Sequence, residues 1–96
     1  MTSLNLQQLY YFKELGEEKQ FLKAARNLNI SQPSLSNSLK SLEQELGCQL
    51  IERNNGRIFL TKYGKIFYQT AVFSVKSIEN GKRQIEKEKL TDNKCY

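Results

Sequence analysis

Apolar residues recur at helical spacing in the first part of the chain, in two runs that polar residues separate. The first run has an apolar residue at every third position: Leu6, Leu9, Phe12 and Leu15. The second run has its apolar face at Phe21, Ala24, Ala25 and Leu28. Asn5 is a suitable N-cap for the first helix, which we expect to end at Gly16. Asn29 tolerates the left-handed conformation that ends helices, so the pattern predicts a second short helix followed by a sharp turn.

The third helix has the clearest signals. Ser31 is a typical N-cap, Pro33 stands in the first turn where its missing N–H costs nothing, and Gly47 is a typical helix end. The core face consists of leucines at helical spacing: Leu35, Leu39, Leu42 and Leu46. The opposite face is polar and nearly uncharged, and comprises Pro33, Asn37, Lys40 and Gln44, flanked by Ser34, Ser36 and Ser41. This helix therefore has one face for a core and one for a polar partner.

A hairpin and one long helix follow. Residues 50–53 and 57–60 contain strand-forming residues and are joined by Asn54, Asn55 and Gly56. An Asn-Gly pair between such segments is the strongest short-range signal for a hairpin. Thr61 can cap a last helix that runs from about residue 62 to about residue 89. At 1.5 Å per residue this helix would be about 42 Å long, so part of it must project from a domain of this size.

The composition narrows the possible functions. The chain has 96 residues, which suffices for one domain, and it has no histidine, the commonest general base and zinc ligand. No base is placed to activate a serine or cysteine, so we predict that the protein is not an enzyme and holds no metal or cofactor. Cys48 and Cys95 are widely separated, which favours a reducing cytosol over a disulfide framework. We expect Cys48 to be a small buried apolar residue and Cys95 to lie in a mobile tail.

The net charge of +5 is unevenly distributed. Residues 1–50 contain five basic and five acidic residues, so the whole excess lies in residues 51–96. Such a charge favours a polyanion or an anionic membrane as the partner. Membrane binding is disfavoured because the last helix carries Glu79, Glu86 and Glu88, and no apolar stretch approaches the roughly 20 residues that span a bilayer. Without a signal-like segment, we predict a cytoplasmic protein.

The order of the elements favours binding to DNA. Two short helices with a tight turn, followed by a basic hairpin, are what a winged helix-turn-helix requires. Four side chains near the start of the third helix can hydrogen-bond to base edges without carrying a negative charge: Gln32, Ser34, Ser36 and Asn37. Arg53 and Arg57 of the hairpin can reach the DNA backbone or the minor groove. On periodicity alone the helix positions would also suit an ordinary solvated face, and Arg53 could instead pair with a carboxylate.

Several segments resemble one bacterial family. They are Ala24-Ala25, residues 28–36 (Leu-Asn-Ile-Ser-Gln-Pro-Ser-Leu-Ser), residues 42–47 (Leu-Glu-Gln-Glu-Leu-Gly), residues 50–53 (Leu-Ile-Glu-Arg) and Leu60-Thr61. In this order they are similar to the N-terminal DNA-binding domain of a LysR-type transcriptional regulator. The resemblance implies a mainly α fold with a three-helix core and a two-stranded β wing in residues 1–61. It also implies a linker and dimerisation helix in residues 62–90. We expect residues 91–96 to form a mobile tail.

The resemblance implies roles for individual residues. The expected contacts to DNA are Gln32, Pro33 and Ser36 from the third helix and Arg53 and Arg57 from the wing. Together with the base-edge candidates Ser34 and Asn37 and the weaker candidate Lys40, they form the predicted DNA-binding site. The resemblance also implies a preference for a T at one end of the bound site and an A at the other.

Three features depart from the family pattern. The family usually has a basic residue where this chain has Asn37, which exchanges a phosphate or guanine contact for an amide pairing with adenine. It favours small hydroxyl residues on both sides of the aromatic residue Phe21, where this chain has Gln20 and Leu22, so a cap and a phosphate contact are expected to be lost. Because few residues follow Leu90, we expect no effector-binding domain and no small-molecule effector in this chain.

The last helix also has an apolar side, which comprises Phe67, Ala71, Val75, Ile78 and Ile85. Core packing explains its first half, but Ile78 and Ile85 need another partner, for which a second copy of the helix is the simplest. We therefore predict a homodimer, formed through Phe67, Ala71, Ile78 and Ile85, that binds double-stranded DNA at an interrupted inverted repeat and is nucleoid-associated when bound. The alternative is an interaction module: a truncated regulator that heterodimerises with a full-length relative and interferes with it.

Overall fold

The computed structural model describes residues 4–92. Four helices and one hairpin follow each other in the order α1 (Leu6–Glu18), α2 (Phe21–Leu28), α3 (Gln32–Leu46), β1 (Ile51–Asn54), β2 (Arg57–Leu60) and α4 (Lys62–Thr91). This confirms the predicted mainly α architecture with a two-stranded wing. Thr91 is the last residue of α4, whereas most of the predicted mobile tail, including Cys95, lies outside the described residues.

Local caps define most helix ends, as predicted. The Asn5 side chain accepts a hydrogen bond from the backbone N–H of Gln8, and the Gln8 side chain accepts one from the Asn5 backbone. Ser31 and Thr61 begin α3 and α4 in the same way, through bonds from the backbones of residues 34 and 64. Asn29 and Gly47 end α2 and α3 with positive φ angles of 62° and 73°. Each of these signals is local, since residues within a few positions satisfy the free backbone groups.

The prediction that α1 ends at Gly16 is wrong. The helix continues to Glu18, and Lys19 takes the left-handed conformation at φ 60°. Gly16 is buried inside the helix, where the ring of Tyr68 from α4 lies so close that a Cβ would be 2.5 Å from its Cδ1. The glycine therefore allows a close approach of α4 to α1 and does not end the helix.

The core lies between α1 and the elements around it. Its largest fully buried side chains are Phe12, Leu15, Leu35, Leu42 and Leu50. The rings of Phe12 in α1 and Phe67 in α4 pack with their centroids 5.9 Å apart. Among residues 4–92, Gln8 is the one buried polar residue, and its side-chain N–H donates to the Ser41 hydroxyl at 3.4 Å. These contacts fix α3 and α4 relative to α1.

The wing is a two-stranded antiparallel hairpin attached to the helical body. Asn55 and Gly56 form its turn with φ angles of 54° and 79°, as in a type I′ turn, while Asn54 pairs with Arg57 as a strand residue. The turn is therefore one residue shorter than the sequence suggested. The backbone N–H of Ile58 donates to the carbonyl oxygen of Lys19 at 3.0 Å, which joins the wing to the connection between α1 and α2.

The long helix α4 starts in the core and extends beyond it. The backbone N–H of Thr61, its N-cap, donates to the Leu50 carbonyl, and its hydroxyl donates to the Gln49 carbonyl at 2.7 Å. Its 30 residues correspond to about 45 Å, in a molecule whose longest dimension is 55 Å. Further along, the Tyr10 hydroxyl donates to the Glu79 carboxylate at 2.5 Å, which joins α1 to the second half of α4. The helix therefore projects from the domain, as predicted.

Candidate nucleic-acid interface

The first turns of α3 present uncharged polar groups to solvent. The Ser31 hydroxyl accepts a hydrogen bond from the Ser34 N–H at 3.1 Å and donates to the Ser34 hydroxyl at 2.8 Å. Both serines are thus engaged in the cap, although the Ser34 hydroxyl still has its own proton to donate. Gln32, Pro33 and Asn37 are exposed, and within residues 4–92 the two amides make no hydrogen bond to another group.

Arg53 lies beside the start of α3. Its guanidinium carbon is 4.1 Å from the centroid of the Phe21 ring, the first residue of α2. Gln32, Pro33 and Ser36 line the same shallow depression. The structure therefore brings one wing arginine next to three of the predicted recognition residues.

Arg57 lies near the turn of the wing, and it lines a groove together with Phe21, Gln32 and Arg53. It is exposed, and Gln20, Leu22 and Gly56 also line this groove. Gln20 makes no side-chain hydrogen bond at the start of α2, as expected from the departure in sequence. Leu22 is 57% exposed and presents an apolar group in this groove.

Lys40 faces an open groove between α3 and the wing. Ser36, Glu52, Arg53 and Asn54 also line this groove, so the basic groups of Lys40 and Arg53 border it together with the carboxylate of Glu52. The other nearby acid, Glu43, is already engaged, because its carboxylate accepts a hydrogen bond from the Leu50 backbone N–H at 2.8 Å. Glu43 therefore connects the end of α3 to the start of the wing, a role that its spacing on the helix did not reveal.

The predicted dimerisation residues fall in different environments. Ala71 is fully buried in the core of the domain, and Phe67 is partly buried and packs against that core. Ile78 is half-buried, and Ile85 is 59% exposed. The sequence reasoning missed two apolar residues on the outward face of α4: Ile66, which is 67% exposed, and Phe73, which is 77% exposed. Their spacing of seven residues, with the uncharged Thr70 and Ser77 on the same face, was the available signal.

A hydrogen bond sets the electrostatics where α1 meets α4. Donation of the Tyr10 hydroxyl to Glu79 raises the pKa of the phenol. The same bond, helped by the positive charge of Lys82, lowers the pKa of the Glu79 carboxyl. The hydrogen bond therefore joins the neutral phenol of Tyr10 to the ionised carboxylate of Glu79.

We also searched the described residues for a metal site, a membrane-spanning helix and a reactive cysteine. Across residues 4–92, no group of three or more carboxylates or cysteines is placed to hold a metal ion. No helix in this part of the chain combines the length and the apolar character needed to cross a membrane. Cys48 is half-buried and packs against the core after the end of α3, where the sequence predicted a small apolar residue.

Comparisons with known proteins agree with this geometry. Residues 6–65 match the family model of the bacterial regulatory helix-turn-helix proteins, lysR family. The probable RuBisCO transcriptional regulator of Phaeodactylum tricornutum is 49% identical over 69 residues, which are 72% of this chain and 22% of that protein. The HTH-type transcriptional regulator BenM of Acinetobacter baylyi is 41% identical over 76 residues, which are 79% of this chain and 25% of BenM.

Two solved structures of complexes with DNA are similar to this chain. The crystal structure of the BenM_DBD/catB site 1 DNA complex matches with a TM-score of 0.84 and 37% identity, over 88% of this chain and 93% of that one. The CbnR_DBD-DNA complex matches with a TM-score of 0.79 and 30% identity, over 90% of this chain and 100% of that one. The chain spans about a quarter of the length of the curated relatives that it matches.

Proposed function

Because the chain belongs to the lysR family of bacterial regulatory helix-turn-helix proteins, we propose that it is a transcription regulator that binds specific sequences in double-stranded DNA. The observation that carries this proposal is the surface at the start of α3, where uncharged amides and hydroxyls stand beside Arg53. The similar structures of BenM and CbnR are complexes with DNA, which supports the same kind of partner here. Such a protein would act in the bacterial cytoplasm, on the nucleoid, and the proposal assigns it no catalytic activity.

In this proposal α3 enters the major groove. Gln32 and Asn37 have amides that can each pair with a base edge, and Ser36 can donate or accept one bond. Pro33 lies against the groove at the start of the helix, where the free N–H groups and the helix dipole favour a phosphate. Sequence preference thus comes from uncharged groups, whose hydrogen bonds depend on the identity of the base.

The wing and the nearby basic residues would hold the DNA backbone. Arg53, Arg57 and Lys40 are the basic side chains that border α3 and the hairpin. Their contacts to phosphates would give affinity without sequence information. The wing, residues 51–61, carries a net charge of only +1, whereas residues 62–91 carry +4, so most of the positive excess lies on α4.

We further propose that two copies bind one inverted repeat. Residues up to 61 would contact DNA, and α4 would hold the two copies together. We assign two pairs of exposed or half-exposed apolar residues on α4 to this contact: Ile66 and Phe73 on one face, and Ile78 and Ile85 on a neighbouring face. A symmetric pair of recognition helices requires two half-sites of opposite orientation. Ala71 is left out of this contact because it is fully buried, and Phe67 because its ring packs against Phe12 of the core.

Selection of bound sites from a random duplex pool, at a stated salt concentration, tests the proposal. We expect enrichment of an interrupted inverted repeat and, by light scattering, the mass of a dimer. A pool that stays random would overturn sequence-specific binding. Enrichment of a single half-site by a monomer would overturn the dimer alone, so the two parts of the proposal are tested separately.

A further inference from the structure

Phe21 and Arg53 make a contact that the sequence did not suggest. The Phe21 ring belongs to the buried core and is only 7% exposed, yet Arg53 covers it at 4.1 Å from guanidinium carbon to ring centroid. Among residues 4–92, no carboxylate forms a salt bridge with Arg53. The ring is therefore the contact that holds this guanidinium, by dispersion and by attraction of the cation to the π face.

The contact joins three elements at one point. Phe21 begins α2, Arg53 lies in β1, and both line a depression together with Gln32 at the start of α3. Arg57 lies on β2 beside the wing turn and borders a groove that Phe21 also lines, but among the described residues only Arg53 and Lys62 have their cation over an aromatic ring. The two wing arginines thus have the same charge but different degrees of restraint.

We propose that Phe21 is a positioning residue for DNA binding. It holds the Arg53 guanidinium so that the N–H groups are directed at the phosphate that borders the start of α3. A guanidinium that covers a ring with its face keeps its five N–H donors at its edge, where they can bind a phosphate diester in a bidentate manner. Without the ring, a long flexible side chain would have to be ordered when DNA binds. This inference rests on the proposed function, since it concerns the same interface.

Lysine substitutions separate charge from stacking. Arg53→Lys keeps the charge but lacks the planar group, and we expect it to weaken binding to every sequence about tenfold. Arg57→Lys should weaken binding by a clearly smaller factor, because Arg57 has no ring to lose. Arg83→Lys, on the distal part of α4, is the control for the same chemical change away from the interface. Equal losses for Arg53→Lys and Arg57→Lys would overturn the inference.

A double-mutant cycle tests whether Phe21 acts through Arg53. Phe21→Leu keeps an apolar side chain in the core and removes the π face. We expect about a tenfold loss of DNA affinity in the wild-type background and less than about a twofold loss in the Arg53→Ala background. A purely structural role would give the same loss in both backgrounds and would overturn the inference.

The controls of this cycle keep its outcomes distinct. Urea unfolding of each variant shows whether it is folded under the binding conditions. If Phe21→Leu does not fold, the comparison of the two lysine variants decides, because both retain Phe21. If the wild-type chain binds no duplex DNA, the proposed function itself fails, whereas binding without coupling between the two residues overturns only the role of Phe21.

Discussion

Asn37 lies on the outward face of α3 with its amide available for pairing. Because an amide in the major groove pairs best with adenine, Asn37→Ala should reduce the free energy of DNA binding by about 1–3 kcal/mol at sites with particular base pairs. At other base pairs it should change binding little. Measured against a library of single base-pair variants of the selected site, the loss should be confined to one position of each half-site. Gln44→Ala, further along the same face, is the matched control. A uniform loss over the whole library would show that Asn37 does not read a base.

Arg53 should contribute affinity for all sequences alike. We expect Arg53→Ala to weaken binding to specific and random duplexes by a similar factor. Each phosphate contact releases counterions, so the slope of log affinity against log salt should become less steep by about one unit. Titrations at several salt concentrations measure this slope, and Arg83→Ala should leave it unchanged. An unaltered slope for Arg53→Ala would mean that Arg53 does not meet a phosphate.

Residues whose roles are local could be predicted from the sequence, whereas residues whose roles depend on distant partners could not. Ser31, Asn29 and Gly47 were predicted correctly because the groups that they cap lie within a few positions. The contact of the Arg53 guanidinium with the Phe21 ring joins residues far apart in the chain, so no spacing rule could reveal it. Glu43 and Leu50 are only seven positions apart, but the hydrogen bond from the Leu50 backbone to the Glu43 carboxylate depends on the path of the chain after the end of α3, which spacing does not show.

Two glycines of the same element, α4, should respond to alanine in opposite ways. A Cβ at Gly64 would collide with the backbone carbonyl of Leu50, so Gly64→Ala should destabilise the fold by about 1–3 kcal/mol or more. A Cβ at Gly81 would meet nothing within 4 Å, so Gly81→Ala should stabilise α4 by about 0.5–1 kcal/mol. Urea unfolding measures both changes. Loss of stability in both variants would mean that the second half of α4 has a packing partner at Gly81.

The bond between Tyr10 and Glu79 should make the attachment of α4 to α1 depend on pH. Because folding lowers the pKa of Glu79, this residue adds to the free energy of unfolding at pH values above the ordinary carboxyl pKa. That added stability is lost as the pH falls through the lowered value. Because folding raises the pKa of Tyr10, this residue adds to the free energy of unfolding at pH values below the ordinary phenol pKa. That added stability is lost as the pH rises through the raised value.

The test compares unfolding midpoints of the wild type and Tyr10→Phe over a pH series. The difference should be largest between about pH 5 and pH 9 and should shrink outside this range. Tyr11→Phe removes the neighbouring hydroxyl and should give a difference that does not follow this profile. A constant difference for Tyr10→Phe at all pH values would show that the bond does not contribute in solution.

At the scale of elements, the sequence predicted the order and approximate bounds of all four helices and both strands, because caps, turns and periodicity are local properties. It was wrong at Gly16, where tertiary contact with Tyr68 and not the local preference of glycine decides the conformation. It also missed the outward apolar face of α4. Periodicity alone identified a core-facing side of that helix, but the packing of α1 decides which other apolar residues, such as Ile66 and Phe73, stay exposed.

The whole molecule separates two tasks along its length. In the proposed function the groups that would contact DNA lie on α3 and the wing, while α4 extends the molecule to 55 Å and carries apolar side chains that the domain does not cover. Joining two such molecules through α4 would raise the affinity for a paired site without any new contact to DNA. The second recognition helix would then bind at a high effective concentration, which can increase affinity about 10²–10⁴-fold.

Phe73→Lys should therefore separate dimerisation from DNA reading. Phe73 is the most exposed aromatic side chain of α4, and a charge at its position would have to be desolvated in a contact between two helices. We expect light scattering to give the mass of a monomer. We also expect affinity for an inverted repeat to fall at least about tenfold while affinity for one half-site is retained. Phe73→Leu keeps an apolar group and should remain dimeric. If Phe73→Lys is still a dimer that prefers the repeat, the two copies meet through another surface, and Ile85→Lys then tests whether that surface lies at the distal end of α4.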